Sequence, residues 1–408
     1  MHSAVTSSII DWIIEQGLLA TTAEDLFEGY CVQLEEAGLP VLRSYLGTRM
    51  KHPQYAGFGL VRSRGAALKE DTYGYVQTDP GLWERSPLKA ATESNSGEVR
   101  CDVGDALQVE KFPILGDLGK EGATDYFCKA CSFGIDGQRQ DDAIGVIFSW
   151  ACDRVGGFSD EHVQVLRDTV PSMALAIRTA TNRRLARAVT AAYLGRDAGE
   201  RVLAGKVRRG EVDTLHAVIL FGDLRGFTAH GDQMEREDLV NMLNEYLTCM
   251  AEPVEDRGGQ VLKFMGDGML STFEIAADNK LRNGNVCVAA LDTALDIFQR
   301  VSDLNQQRRE NGEPALVLDL ALHLGEVLYG NVGSPTRLDF TVIGPAVNEA
   351  SRMEAMCSPL DRNLLISSAF ADAMPADRGH ELVALGRHGL RGVRAPVELF
   401  TLAEVPQP

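Results

Sequence analysis

The chain has 408 residues, 45% of them hydrophobic and 24% charged, with a formal net charge of −18. That length exceeds a usual single core, so two domains are expected, and the balance is that of an ordinary globular protein. So acidic a chain is not suited to coating nucleic acid or an anionic membrane, although one local pocket is enough to hold a nucleotide's phosphates.

No basic segment leads into an apolar run, and no stretch reaches the ~20 apolar residues that span a bilayer, so a cytoplasmic protein is expected. Of eight cysteines only Cys128 and Cys131, in "FCKAC", are closely spaced, with no second pair to complete a zinc site. On an extended strand they point to opposite faces, as ordinary packed thiols.

The first forty residues read as two helices. "SSIIDWIIEQGLLA" puts Ile9, Ile10, Ile13 and Ile14 on one stripe, and "TTAEDLFEGYCVQLEEAG" runs from capping threonines to a glycine. Short strands follow in "GFGLVRS", "TYGYVQTDPG" and "YFCKACSFGIDGQRQDDAIGVIFSWACD", with "IDGQ" as a hairpin signal. "FSDEHVQVLRDTVPSMALAI" is a serine-capped helix that Pro171 is expected to kink. Trp83, in "DPGLWERSPL", is a candidate for lining a ligand pocket, against the plainer reading of a core aromatic. The run of helices, antiparallel sheet and closing helix resembles a GAF-type sensory domain. The resemblance implies an N-terminal regulatory α+β domain over 1–172 that takes an unidentified small-molecule or protein effector.

Residues 173–212 are alanine-rich and basic, with apolar residues at three- and four-residue steps (Ile177, Ala180, Ala188, Val189, Ala192). This predicts a helical linker with one sticky face, able to pair with its copy in a dimer. From 213 to 408 strands and helices alternate as an α+β domain. The strands are "AVILFGD", "GQVLKFMGD", "GMLSTFE", "ALVLDLALHLG" and "EVLYGNVG". The helices are "REDLVNMLNEYLTCMAEPVED", "NGNVCVAALDTALDIFQRVSDLNQQ" and "PAVNEASRMEAMC".

Two of those strands end on carboxylates, Asp223 in "FGDLRGFT" and Asp267 in "KFMGDGML". A lone Asp-Gly is most often a hairpin turn. If the two strands are neighbours, however, the carboxylates meet at one edge of a sheet, where they repel unless a divalent cation sits between them. Two carboxylates plus substrate phosphates is the usual way to hold Mg²⁺. Asn348 and Arg352 fall four apart after Gly344-Pro345, on one face of a helix. Lys263 is a charge inside an otherwise apolar strand, where a core strand has no use for it.

These segments, in this order, resemble the class III adenylate/guanylate cyclase catalytic domain. The motifs are F-x-D-L-R-G-F-T, K-F-x-G-D-G and D-F-T-V-I-G-x-x-V-N-x-A-S-R. The resemblance implies a palm-like, ferredoxin-like core with a mixed antiparallel sheet flanked by helices. It implies two divalent ions per site, Mg²⁺ or Mn²⁺, held by Asp223, Asp267 and the backbone carbonyl of Leu224. It assigns Lys263 and Thr341 to the base, Asn348 to the ribose and Arg352 to the transition state. Thr341 is similar to the bacterial subclass IIIb, several members of which respond to bicarbonate. Arg391 and Arg394 both remain candidates for the phosphate-binding cation. In this family the site is composite, so a head-to-tail homodimer is implied.

The residue types suit cyclisation of a nucleoside triphosphate, in which the ribose 3′ oxygen attacks the α-phosphorus and pyrophosphate leaves. Lys263 only donates, which suits adenine N1, and the Thr341 hydroxyl can accept from the 6-amino group. Guanine presents the reverse. An adenylate cyclase acting on ATP is therefore expected, with a guanylate or dual-specificity cyclase, or a catalytically silent nucleotide sensor, as the alternatives.

Overall fold

The computed structural model describes residues 2–75, 80–133, 145–227, 234–275, 280–375, 378 and 381–403. The chain divides into two compact units, 1–189 and 190–408. Among the described residues no helix is long and apolar enough to cross a membrane.

The first unit is built on an antiparallel sheet of β1 (Val41–Arg49), β2 (Gly57–Ser63), β3 (Lys69–Tyr73), β4 (Glu98–Asp102), β5 (Asp125–Ser132) and β6 (Gly145–Cys152). The strand order is β3-β2-β1-β6-β5-β4. One face packs on the helices His2–Leu18, Ala23–Glu36 and Asp160–Leu194, and the other on short helices that include Pro87–Glu93 and Ile114–Lys120. Thr22 caps the second helix, its side chain accepting from Asp25 N–H, as the threonine pair predicts. The predicted stripe on the first helix is narrower than expected, since Ile9 and Ile13 are buried while Ile14 is exposed. Along β5, Cys128 enters one apolar cluster and Cys131 packs against the other, so the two thiols do face apart. Trp83 lies in the short helix Pro80–Glu84. Pro171 sits inside the long helix, which continues through it to Leu194. The turn expected at "IDGQ", 135–138, lies outside the described residues.

The second unit has an eight-stranded mixed sheet: β7 (Val212–Arg225), β8 (Gln260–Met265), β9 (Gly268–Ile275), β10 (Val317–Gly333), β11 (Leu338–Ile343), β12 (Leu364–Ser367), β13 (Leu382–His388) and β14 (Val397–Leu402). The path is β13-β14-β12-β10-β7-β9-β8, with β11 paired to β10 and, among the described residues, only β10–β12 parallel. Alternation along β7 and β10 separates two layers. Val218, Leu220, Leu318, Leu320 and Leu322 meet the helices Arg236–Asp256 and Lys280–Glu310. Ile219, Ala321 and their neighbours on the other face meet the helix Pro345–Glu354.

Four expectations need correction here. "ALVLDLALHLG" and "EVLYGNVG" form one 17-residue strand, because Gly325 and Glu326 pair without a break with Ala217 and His216 of β7. The segment around Thr341 is itself a strand, β11. Three C-terminal strands, β12 to β14, were not anticipated, being runs of four to seven residues. The strand carrying Lys263 is also not a core strand. It is the sheet's edge, where a charged side chain reaches water and discourages further pairing.

Candidate active site

β7 and β9 are antiparallel neighbours with Gly222 opposite Met269, which brings Asp223 beside the turn that ends β8. Gly266 takes φ +69 at the first of two turn residues, the position where hairpins favour glycine, and Asp267 is the second. Gly268 allows the close approach: a Cβ there would stand 2.8 Å from Asp223 Oδ1 and 3.1 Å from the Gly222 carbonyl oxygen. The two carboxylates thus line one cleft of about 300 Å³, together with Leu224, Arg225, Gly226, Asp319, Glu354, Ala355 and Ser358.

The cleft is overloaded with acid. Burial, then Asp267 and Asp319, pushes the Asp223 carboxyl up to about 6. Burial, then Asp223 and Asp319, pushes Glu354 up to about 7. Asp319 stands directly opposite Asp223 in the β7–β10 ladder, but Arg225 grips it with Nε–Oδ2 at 2.9 Å and Nη2–Oδ1 at 2.7 Å. The Asn363 side-chain amide adds a third hydrogen bond at 3.1 Å. Burial raises the Asp319 pKa, and Arg225 opposes that rise.

Carboxylates held this close without a matching cation fit a divalent metal, which would remove both the repulsion and the penalty of burial. Asp223 and Asp267, with the Leu224 backbone beside them, are the residues that would hold it. Among the described residues no three His, Cys, Asp or Glu side chains form a ready-made cage.

The base-facing candidates form a second group. Lys263 of β8 is ion-paired with Asp339 of β11, and both are partly exposed. Asp339, Thr341 and Ile343 share one face of β11, opposite the buried Phe340 and Val342. Thr341 therefore lies one side-chain repeat from the carboxylate that holds Lys263.

Asn348 and Arg352 form a third group, on the helix Pro345–Glu354. Asn348 is exposed, Arg352 is half-buried, and neither lines the Asp223 cleft. The Arg352 guanidinium lies on Gly392, where a Cβ would stand 2.6 Å from Nη1. Gly392 belongs to the turn Leu390–Val393; Arg391 lies in the same turn and Arg394 just after it, and both are exposed.

Sequence reasoning missed Arg225, Asp319, Asp339 and Glu354. A signal for one of them was present: Asp319 interrupts the apolar run "LVLDLAL".

Residues 212–404 match the family model described as the adenylate and guanylate cyclase catalytic domain. The C-terminal unit carries a domain of this family. Over 164 residues the cyclase domain is 34% identical to an adenylate cyclase of Anabaena cylindrica, covering 39% of this chain and 31% of that protein. Over 166 residues it is 31% identical to the terminal-differentiation-specific adenylate cyclase of Dictyostelium discoideum, covering 40% of this chain and 7% of that one. The chain thus spans about a third or less of the length of these relatives. The crystal structure of the adenylyl cyclase CyaB from P. aeruginosa shares 27% identity, covering 48% of this chain and 96% of that one at a TM-score of 0.42. That of the guanylyl cyclase Cya2 shares 28%, covering 48% and 96% at 0.41.

Proposed function

We propose that the protein is an adenylate cyclase, converting ATP to 3′,5′-cyclic AMP and pyrophosphate. The observation that carries this reading is the unneutralised pair Asp223 and Asp267 at the β7–β9 edge, in a cleft whose backbone includes Gly226 at φ +83. Divalent ions bound there would make the ribose 3′-hydroxyl more acidic and spread the charge of the phosphates. The protein's own part is placement. Asp223 and Asp267 would hold the cations that meet the triphosphate end. Lys263 donates to adenine N1, Thr341 accepts from the 6-amino group, Asn348 orients the ribose, and Arg352 offers a permanent charge to oxygens whose charge changes during displacement.

Asn348 and Arg352 do not line the cleft of their own chain, which supports a site completed by a second copy. An apolar margin suits such a partner: Phe264 and Met265 of β8, Leu328 of β10, and Leu338 and Ile343 of β11 are exposed around Lys263 and Thr341. Unit 1, with its resemblance to a GAF-type domain, would regulate this assembly through the helix Asp160–Leu194.

One observation favours a second reading. The Asp339 carboxylate beside Lys263 can accept from guanine N1–H, which would suit a guanylate or dual-specificity cyclase. Product analysis with ATP and GTP, each with Mg²⁺ and Mn²⁺, separates the two. Cyclic AMP as the main product, lost in Asp223→Ala, is expected. Robust cyclic GMP with little cyclic AMP would overturn the base assignment, and an unaffected Asp223→Ala would overturn the metal assignment.

A further inference from the structure

The helix Pro345–Glu354 serves two directions. Successive residues turn by about 100°, so Asn348 and Arg352 lie within about 40° of each other, whereas Glu354 lies about 200° round from Arg352. The contacts agree with this: Arg352 rests on Gly392, while Glu354 lines the cleft with Asp223, Asp267 and Asp319. The cation among the cleft residues, Arg225, hydrogen-bonds Asp319 through Nε and Nη2. Glu354 is also the last residue of its helix, where the dipole works against a carboxylate.

We propose that Glu354 is a positioning residue that couples cation loading of the Asp223–Asp267 cleft to the placement of Asn348 and Arg352, which its helix delivers to the other site of a homodimer. The inference rests on the reading of the cleft as a cation site. Without cations, Asp223 and Asp267 repel Glu354, which lines the cleft at the C-terminal end of the helix. With cations bound, the sign of the field at Glu354 reverses and that end is drawn in. The N-terminal end is pinned, because Ala346 sits on Gly325, where a Cβ would approach to 2.5 Å. Met353 packs the C-terminal end into the Ala321 cluster, so a pull on Glu354 shifts Arg352, two residues away, only slightly, but a displacement of about 1 Å there is worth about a hundredfold in rate. Loading one site would thereby set the geometry of its twin.

The test uses the nucleotide-free full-length chain and Mn²⁺ as the probe. Free Mn²⁺ is followed by electron paramagnetic resonance, and peptides covering 345–354 by hydrogen–deuterium exchange. Wild type should bind Mn²⁺ and exchange more slowly in that helix when loaded. Glu354→Gln should still bind Mn²⁺, lose the slowing, and show kcat reduced by at least about tenfold with KM little changed. Asp223→Asn should lose the binding itself. If Asp223→Asn binds Mn²⁺ like wild type, the cation reading fails and the coupling with it. If Asp223→Asn loses Mn²⁺ while Glu354→Gln keeps both the Mn²⁺-dependent slowing and wild-type kcat, the coupling is overturned and the cation reading stands.

Discussion

Asp223 and Asp319 are paired directly across two strands, an arrangement that like charges normally disfavour. Arg225 offsets the charge of Asp319 but not that of Asp223, so without metal the second carboxylate is left in a half-buried site. Its pKa rises from 3.8 to about 6, through burial first and then through Asp267 and Asp319. A carboxyl whose pKa is raised by folding holds its proton more tightly in the folded state. Its contribution to stability is therefore full below the unfolded value and is lost as pH rises through about 6. Asp223→Asn removes that dependence. In chelator-treated buffer the variant should gain stability relative to wild type between about pH 4 and pH 6 and hold the gain above that, read by urea unfolding at a series of pH values. Saturating Mg²⁺ at pH 7 should then stabilise wild type and not the variant, because only the folded wild type binds the ion. An equal stability difference at pH 4 and pH 7 would mean that Asp223 titrates as an ordinary exposed acid.

At the scale of elements, the site depends on how closely one helix lies on one strand. Along β10, Ala321 and Gly325 face the helix Pro345–Glu354 while Leu320 and Leu322 face the opposite core. Gly325→Ala places a methyl 2.5 Å from Ala346 Cβ, a short and stiff neighbour, so the helix itself must lift. The expected cost is about 1–3 kcal/mol of stability. Turnover should fall further than stability predicts, since Asn348 and Arg352 move with the helix. Adding Ala346→Gly should recover much of the turnover while leaving the helix about 1 kcal/mol weaker from its new glycine. Unchanged turnover in the single variant, measured on protein confirmed as folded, would show that the helix position is not critical. This dependence also explains what was legible beforehand. The helix Arg236–Asp256 and the turn at Gly266-Asp267 follow from local chemistry, namely apolar periodicity and hairpin preference, and both were readable. Asp319 and Glu354 reach the cleft only through the long-range pairing of β10 with β7 and the packing of a helix on that pair. No short window of sequence encodes either. The same holds for β12, whose four buried residues become a strand by lying parallel to Leu320–Leu322.

For the whole molecule, the element to examine is the 35-residue helix Asp160–Leu194, ~52 Å long, inside which the boundary between the two units falls. Val163, Leu166, Val170, Met173 and Ile177 are buried in the core of the first unit. Leu194 packs against the cluster of the second unit that holds Ala198, Val327 and Ala346, the last being part of the helix that carries Asn348 and Arg352. A helix that carried rotation from one unit to the other would depend on its phase more than on its length. Inserting two alanines between Val189 and Thr190 turns everything downstream by about 200°, whereas inserting seven turns it by about 700°, within about 20° of two full turns, while lengthening the rod by ~10 Å. If the first unit controls the cyclase domain through this helix, the two-residue insertion should change cyclic-nucleotide production by about tenfold or more, in either direction. The seven-residue insertion should stay within about threefold of wild type, although it lengthens the connection more. Circular dichroism and thermal melts confirm that both proteins are folded before rates are compared. Two insertions of equal effect would show that spacing, not phase, passes between the units, and two without effect would leave the first unit no mechanical hold on the reaction.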